Sequence, residues 1–226
     1  MKIRIDVPCY NRKKITELCL RQLNKAKIEN TQIRIYNDNS TEYDNEWLEK
    51  WGTPITFNIS KQQRWINIHT IRYLAYQQFL NEDFDYLYMT DNDAFHTPQF
   101  LSVFLNLSRQ YNLPVCGYIS KYMSEFSNQY RLQTNTNATR HVVKNTNGGI
   151  SVFLTRKHVQ KLMKKYNSKT RMWDCDTWAL LNNQYILTGN SFLEHFGKGG
   201  LHNQNWNFDY ALKPIKYLKK VREPII

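Results

Sequence analysis

The chain lacks paired cysteines: Cys9, Cys19, Cys116 and Cys175 are scattered with no C-x-x-C spacing. That argues against a zinc ribbon or dithiol motif and predicts free thiols in a reducing compartment. It also lacks any apolar run near the ~20 residues that cross a bilayer. The opening MKIRIDVPCY reads as a strand, not as a charged leader with an apolar stretch behind it. These features predict a soluble, cytoplasmic protein. Internal repeats, low-complexity tracts and clean linkers are missing too, so all 226 residues, 1–226, are expected to form a single domain.

Negative charge is scarce. Thirty-one Lys and Arg stand against nineteen Asp and Glu, a formal charge of +12. Such a surface attracts polyanions (nucleic acid, anionic lipid or an acidic glycan) or simply keeps the chain in solution. Basic residues gather in RKHVQKLMKKYNSKTR (Arg156 to Arg171) and LKPIKYLKKVR (Leu212 to Arg222). In the first, Val159, Leu162, Met163 and Tyr166 share one helical face, so its charges are partly the wet side of an amphipathic helix. In the second, Lys213, Lys216 and Lys220 share a side that suits phosphates or lipid headgroups, and peripheral contact with an anionic membrane.

Against this basic background, YLYMTDNDAF (Tyr86 to Phe95) ends in two aspartates one residue apart. Tyr86 to Met89 suit a buried, pleated surface. A buried strand does not accept two carboxylates unless a cation meets them. The segment is therefore either a surface turn, in which Asp and Asn satisfy the backbone, or a metal site at a strand's end.

The order of elements bears on that choice. Strands are expected at Ile3 to Cys9, Gln32 to Tyr36, Ile55 to Ile59 and Tyr86 to Met89, separated by helices at Lys13 to Lys27, Glu42 to Trp51 and Trp65 to Leu80. This alternation predicts an α/β fold, Rossmann-related, with a mostly parallel central sheet and helices on both faces. Ligands of such sheets bind at the carboxyl ends of the strands, where DND falls, which favours the metal reading. The second half is less regular. A helix at Pro98 to Tyr111 precedes a strand at Val115 to Ser120, and the polar Asn128 to Lys144 suggests hairpins or an acceptor-facing loop. Strands follow at Ile150 to Leu154 and Ser191 to Phe196, with a short helix at Asp176 to Asn182 between them.

Four segments in order carry a resemblance: VPCYNR (Val7 to Arg12), YNDNST (Tyr36 to Thr41), the helix INIHTIRYLAYQQFL, and YLYMTDNDAF. Together they resemble the nucleotide-binding half of a family-2-like GT-A glycosyltransferase, whose strands end in V-P-x-Y-N-R, D-D-x-S and D-x-D motifs. The resemblance covers Ile3 to Phe95 and extends loosely from Asn147 to His202, which implies a nucleotide-sugar half at about 1–95 and an acceptor side at about 96–226. It implies an inverting, metal-dependent transfer of a sugar from a nucleotide-sugar, with UDP as the nucleotide, to an acceptor hydroxyl. By this resemblance Asp93 would ligate Mn²⁺ or Mg²⁺, and Asp91 would hold the ribose or a metal-bound water. The chemistry is consistent, because oxygen ligands suit these ions and a Lewis acid stabilises a departing diphosphate.

The same resemblance assigns the other positions. Pro8 and Tyr10 would line the base pocket, with Asn11 and Arg12 completing that motif, and Asp38 would accept a hydrogen bond from the base. Arg72 would approach the nucleotide, Asn92 lies within D-x-D, and Gly148 and Gly149 would let backbone approach the sugar. Asp176, with Asp174 second, would deprotonate the acceptor. His195 would be a further metal ligand with His202 as its alternative, and Lys198 would meet the diphosphate. Plain structural roles compete: a turn for Asp38, a solvated helix arginine for Arg72, an N-cap for Asp176, a core position for His195. His69 and His96 read as structural or surface residues. Two departures stand out, since Asn37 replaces the first acid of D-D-x-S and Cys175 the first acid of an E-D pair.

A glycan or lipid-linked glycan is the expected acceptor. Hydroxylated bases of DNA are the alternative, and they would demand groove access or a flipped base. Nucleotidyltransferases usually carry a glycine-rich loop after the first strand, and VPCYNRKK has no glycine. A non-catalytic basic binding module is opposed by DND, whose carboxylates would repel a polyanion.

Overall fold

Ile3, Ile5, Val7 and Cys9 alternate with Arg4 and Asp6 along β1 (Ile3–Cys9), yet every residue of the strand is buried. That is the signature of a central strand covered on both faces. The computed structural model describes residues 1–56, 64–118, 133–134, 139–143, 150–166, 181, 184–188 and 191–196. From β1 the chain runs through α1 (Lys13–Lys25), β2 (Thr31–Asn37), α2 (Asn45–Glu49), β3 (Thr53–Thr56) and α3 (Arg64–Asn81). Next come β4 (Tyr86–Thr90), a short β5 (Ala94–His96), α4 (Phe100–Tyr111) and β6 (Val115–Cys116). The later elements are β7 (Gln133–Thr134), β8 (Thr139–Val143), β9 (Ser151–Thr155), α5 (Arg156–Met163), β10 (Gln184–Thr188) and β11 (Leu193–His195).

The main sheet has nine strands in the order β3-β2-β1-β4-β9-β6-β10-β8-β7. Among the described residues, only β8 and β9 run against the rest, so the sheet is mostly parallel as expected. Period-two alternation sorts its side chains into two cores. Ile5, Ile33, Tyr88 and Phe153 join α1 and α4 on one face. Leu87, Met89, Val152 and Leu154 join α3 and α5 on the other, where Val159, Leu162 and Tyr166 form the predicted apolar face. The expected polar hairpin exists as β7–β8 and is hydrogen-bonded to the main sheet through β10.

Local chemistry sets the element ends. Asp44 caps α2 by accepting from Trp47 N at 2.8 Å, which delays the expected helix start from Glu42 to Asn45. Thr155 and His158 form a reciprocal capping box on α5. Pro8 has no N–H to give, and the β1–β4 ladder stops at Asp6, two residues earlier. At Gly117 an added Cβ would overlap the Phe104 ring, so α4 lies directly on the exit of β6.

One feature was not legible as an element. Directly after DND the chain forms β5, which pairs antiparallel with β11 in a separate two-stranded sheet, placing His195 opposite Ala94. This small sheet holds the carboxyl end of β4 against the later part of the chain.

Candidate active site

The DND turn is pinned from several sides. Thr90 Oγ1 donates to Ile150 O at 2.8 Å, and Ala94 N closes the turn onto Asp91 O at 3.3 Å. Asn92 Nδ2 donates to Thr16 Oγ1 on α1 at 2.7 Å, and Phe196 N donates to Asp93 O at 2.8 Å. The two carboxylates are thereby held by backbone and by neighbours on α1 and β11.

Each carboxylate meets a cation. Arg72, on α3 and almost wholly buried, donates from Nη2 to Asp91 Oδ1 at 2.6 Å. Arg12 donates from Nη1 to Asp93 Oδ2 at 2.7 Å, and its Nη2 donates to Phe196 O at 2.6 Å. On the other oxygen of Asp93, Oδ1, His195 Nε2 stands 3.3 Å away. Burial by itself would raise the Asp93 carboxyl, but His195 and Arg12 outweigh it and hold it well below the usual carboxylate range. For Asp91 burial prevails over Arg72, aided by Asp93, and the carboxyl is raised. Its side chain is 30% exposed, so water screens part of that shift.

Arg12 is also a backbone exception. Among the described residues five non-glycine residues have positive φ; four are asparagines, and the fifth is Arg12 at φ 59° and ψ 48°. Asparagine tolerates the left-handed region, whereas arginine there is strained. Arg12 stands at the start of α1 without capping it by its side chain. Glu42 supplies an anion there instead, accepting from Lys13 N at 2.8 Å.

Asparagines tie the neighbouring loops together. Asn11 N donates to Ser40 Oγ, and Asn11 Oδ1 accepts from Thr41 N at 2.7 Å. Asn37, at the departure from D-D-x-S, is a strut: its Oδ1 accepts from Ser40 N and its Nδ2 donates to Asn45 Oδ1, both at 3.0 Å. Asp38 N donates to Cys9 O at 2.9 Å, which sets the half-exposed Asp38 beside the exit of β1. Pro8 is buried within β1 and Tyr10 is half-buried at its exit. A cavity of about 660 Å³ opens farther out, lined by Lys13, Glu42, Tyr43 and Trp47 among others. No residue of the DND cluster lines it.

Two donors held by one octahedral ion at ~2.1 Å stand roughly 3 Å apart. The 3.3 Å between Asp93 Oδ1 and His195 Nε2 fits one edge of such a sphere. Among the described residues no group of three or more His, Cys, Asp and Glu closes round one point. A cation held here by Asp93 and His195 would leave positions for phosphate oxygens and water, the usual habit of Mg²⁺ at nucleotide sites. The protein's contribution fits on those terms.

The structure thus brings together Asp91, Asp93, Arg12, Arg72 and His195 at the carboxyl end of β1 and β4, with Asn92, Asn11 and Asp38 nearby. Gly148, Gly149, Asp174, Asp176, Lys198 and His202 lie outside the described residues. The pairing of Arg12 with Asp93, 81 positions apart, had no signal in the sequence.

Comparisons with known proteins bear on the fold and the family. No curated protein matches the chain. Among solved structures, S. aureus TarS 1-349 in complex with UDP-GlcNAc superposes with a TM-score of 0.63 at 15% identity over 92% of this chain. The mannosyltransferase PcManGT from Pyrobaculum calidifontis, in complex with GDP-Man and Mn²⁺, superposes with a TM-score of 0.65 at 14% identity over 90%. The chain spans 62% and 59% of the lengths of those two proteins. At such identities the likeness establishes a shared GT-A fold. The family model described as glycosyl transferase family 2 matches residues 5–178, well over half the sequence, and the chain belongs to that family.

Proposed function

We propose that the protein transfers a sugar from a nucleotide-sugar to an acceptor hydroxyl. The observation that carries this reading is the DND cluster at the carboxyl edge of parallel strands, where Asp91 and Asp93 gather Arg72, Arg12 and His195. Guanidinium groups and an imidazole around two carboxylates suit a diphosphate leaving group accompanied by a divalent cation. When bound, Mn²⁺ or Mg²⁺ would neutralise the charge developing on that diphosphate. Asp93 and His195 would hold the ion, while Arg72 orients Asp91. Asp38 and Tyr10, at the exits of β2 and β1, would receive the base. Asp176 or Asp174 would take the acceptor proton, in keeping with an inverting reaction.

UDP and GDP are both candidates for the nucleotide, since TarS and PcManGT bind UDP-GlcNAc and GDP-Man respectively. The formal charge of +12 supports a polyanionic or glycan acceptor, lipid-linked or not, and leaves DNA as the alternative substrate class. Cys9, Cys19 and Cys116 are buried and form no disulfide, which supports a reducing, cytoplasmic setting for one catalytic domain. Titration calorimetry with UDP and GDP, with and without Mn²⁺, tests the donor half. Binding that needs the metal and vanishes in Asp93→Ala is expected. If neither nucleotide binds under either condition, the reading fails. Incubation with nucleotide-sugars should release nucleoside diphosphate, and pyrophosphate in its place would indicate nucleotidyl transfer.

A further inference from the structure

Asp93 has two oxygens, and the protein already supplies a partner to each. His195 lies along Oδ1 at 3.3 Å; its imidazole carries a charge only when protonated, and in its neutral form it can share a cation with the carboxylate. Arg12 on Oδ2 is different, because its guanidinium is always charged and approaches to 2.7 Å. A full positive charge on one oxygen repels a divalent ion at the other across only a few ångströms. The backbone of Arg12 is left-handed, in a region that disfavours its side chain, and its second arm is spent on Phe196 O. Strain of this kind persists where surrounding contacts over-determine a residue, and it collects at sites that change state.

We propose that Arg12 is an internal counter-cation that competes with the divalent ion for Asp93 and yields when a diphosphate arrives. This rests on the nucleotide-sugar reading above and adds a regulation of that same site. An anionic diphosphate offers the guanidinium a bidentate partner as good as a carboxylate. Moving Arg12 to that partner removes its charge from Asp93 and leaves the carboxylate to the cation. Metal and nucleotide binding are then coupled: each is weak alone and each strengthens the other by the same factor. In the absence of nucleotide, Asp93 stays neutralised, and the site does not take up a cation it cannot use.

The test is Mn²⁺ binding to the full chain, read by loss of the free-ion electron paramagnetic resonance signal, first with no nucleotide. Arg12→Gln should bind Mn²⁺ alone about tenfold tighter than wild type or better, because a repelling charge has gone. Arg12→Gly should do the same, and it is the variant least liable to misfold, since glycine accepts the left-handed backbone. Adding UDP or GDP should tighten Mn²⁺ binding strongly in wild type and much less in either variant. A change below about twofold in both variants without nucleotide overturns the proposal, as Arg12 would then not compete. This first arm needs no nucleotide. Failure of UDP and GDP to bind wild type would defeat the functional reading, while unchanged Mn²⁺ affinity beside intact nucleotide binding would defeat only the role of Arg12.

Discussion

Asp6 and Asp93 each meet an arginine at 2.7 Å, and there the likeness ends. Asp6 sits mid-strand on β1, wholly enclosed with Arg4, which grips it through both Nε and Nη2 while Tyr36 OH donates to it as well. The rest of Arg4 is used on Glu82 and Ala75 O, and Arg34 also meets Glu82. Asp93 sits at a strand end with Arg12 on one oxygen and a histidine on the other, beside a carboxylate that is 30% exposed. The first cluster is complete and joins α3 to the sheet. The second is open to water at Asp91 and Arg12, and its arginine is held in a strained backbone. Identical chemistry becomes structural or functional according to whether it is sealed from water.

The sharpest way to break this contrast is to truncate the closed cluster. Asp6→Ala strands a buried Arg4 and should cost about 3–5 kcal/mol of stability, measured by urea unfolding. Replacing both partners, with Arg4→Met and Asp6→Leu together, should recover most of that loss, since no charge is then left alone. A cost under about 1 kcal/mol for Asp6→Ala would show that the cluster is not sealed.

Asp93→Ala should behave in the opposite way. Transfer, measured as nucleoside diphosphate release, should fall about 100- to 1,000-fold, as when one group aimed at developing charge is lost. Its unfolding free energy should move by less than that of Asp6→Ala, because Arg12 and His195 are partly exposed and Arg12 keeps its bond to Phe196 O. A stability loss as large as that of Asp6→Ala, with activity retained, would reverse the assignment.

The elements and the DND motif were visible in the sequence, whereas neither ion pair was, and that has a physical cause. The strands and helices of the first half follow from alternation and helical spacing, which are local signals, so β1 through β4 fall close to their expected places. DND announced itself because carboxylates at the end of an apolar strand need an explanation. His195 was legible as a strand residue of an expected type. By contrast, Arg4 and Asp6 inside IRIDV read as ordinary alternation, although both are fully buried, since period two cannot tell a wet face from a polar core. The bond from Arg12 to Asp93 was illegible because nothing local encodes a contact 81 residues away. His96, expected to be a structural or surface residue, is fully buried, with its Nε2 2.8 Å from Tyr88 OH.

His96 offers a third, smaller test, of whether the wall behind the open cluster is itself sealed. Burial pulls its imidazole down to about 3, so the folded protein keeps it neutral where the unfolded chain, with an ordinary value near 6.5, takes up a proton. Its contribution is therefore present above pH 6.5 and is lost as pH falls, by about 2 kcal/mol on reaching pH 5. Asp6 works in the opposite sense, because burial pushes it up to about 6 and the folded state holds its proton first. The measurement is thus a difference: the stability gap between wild type and His96→Gln should shrink by about 2 kcal/mol between pH 7 and pH 5. A constant gap would mean that His96 protonates freely and that water reaches behind the site.

The smallest effect asks whether the open cluster stores strain. Both Arg12→Gly and Arg12→Ala delete the guanidinium, so each loses the same contacts to Asp93 and Phe196. They differ in what they allow the backbone at φ 59° and ψ 48°. Glycine takes that region without penalty, although its freedom in the unfolded chain works against it, whereas alanine keeps the clash of Cβ with the following carbonyl. Arg12→Gly should therefore be the more stable of the two by about 1 kcal/mol. If alanine matches glycine, the turn relaxes once the side chain is gone, and the left-handed geometry is a consequence of the Asp93 bond. If glycine wins, the loop imposes the geometry and the arginine is held there against its own preference. The second outcome is what a residue built to let go of Asp93 requires, and no pair of substitutions in the closed cluster should reproduce it.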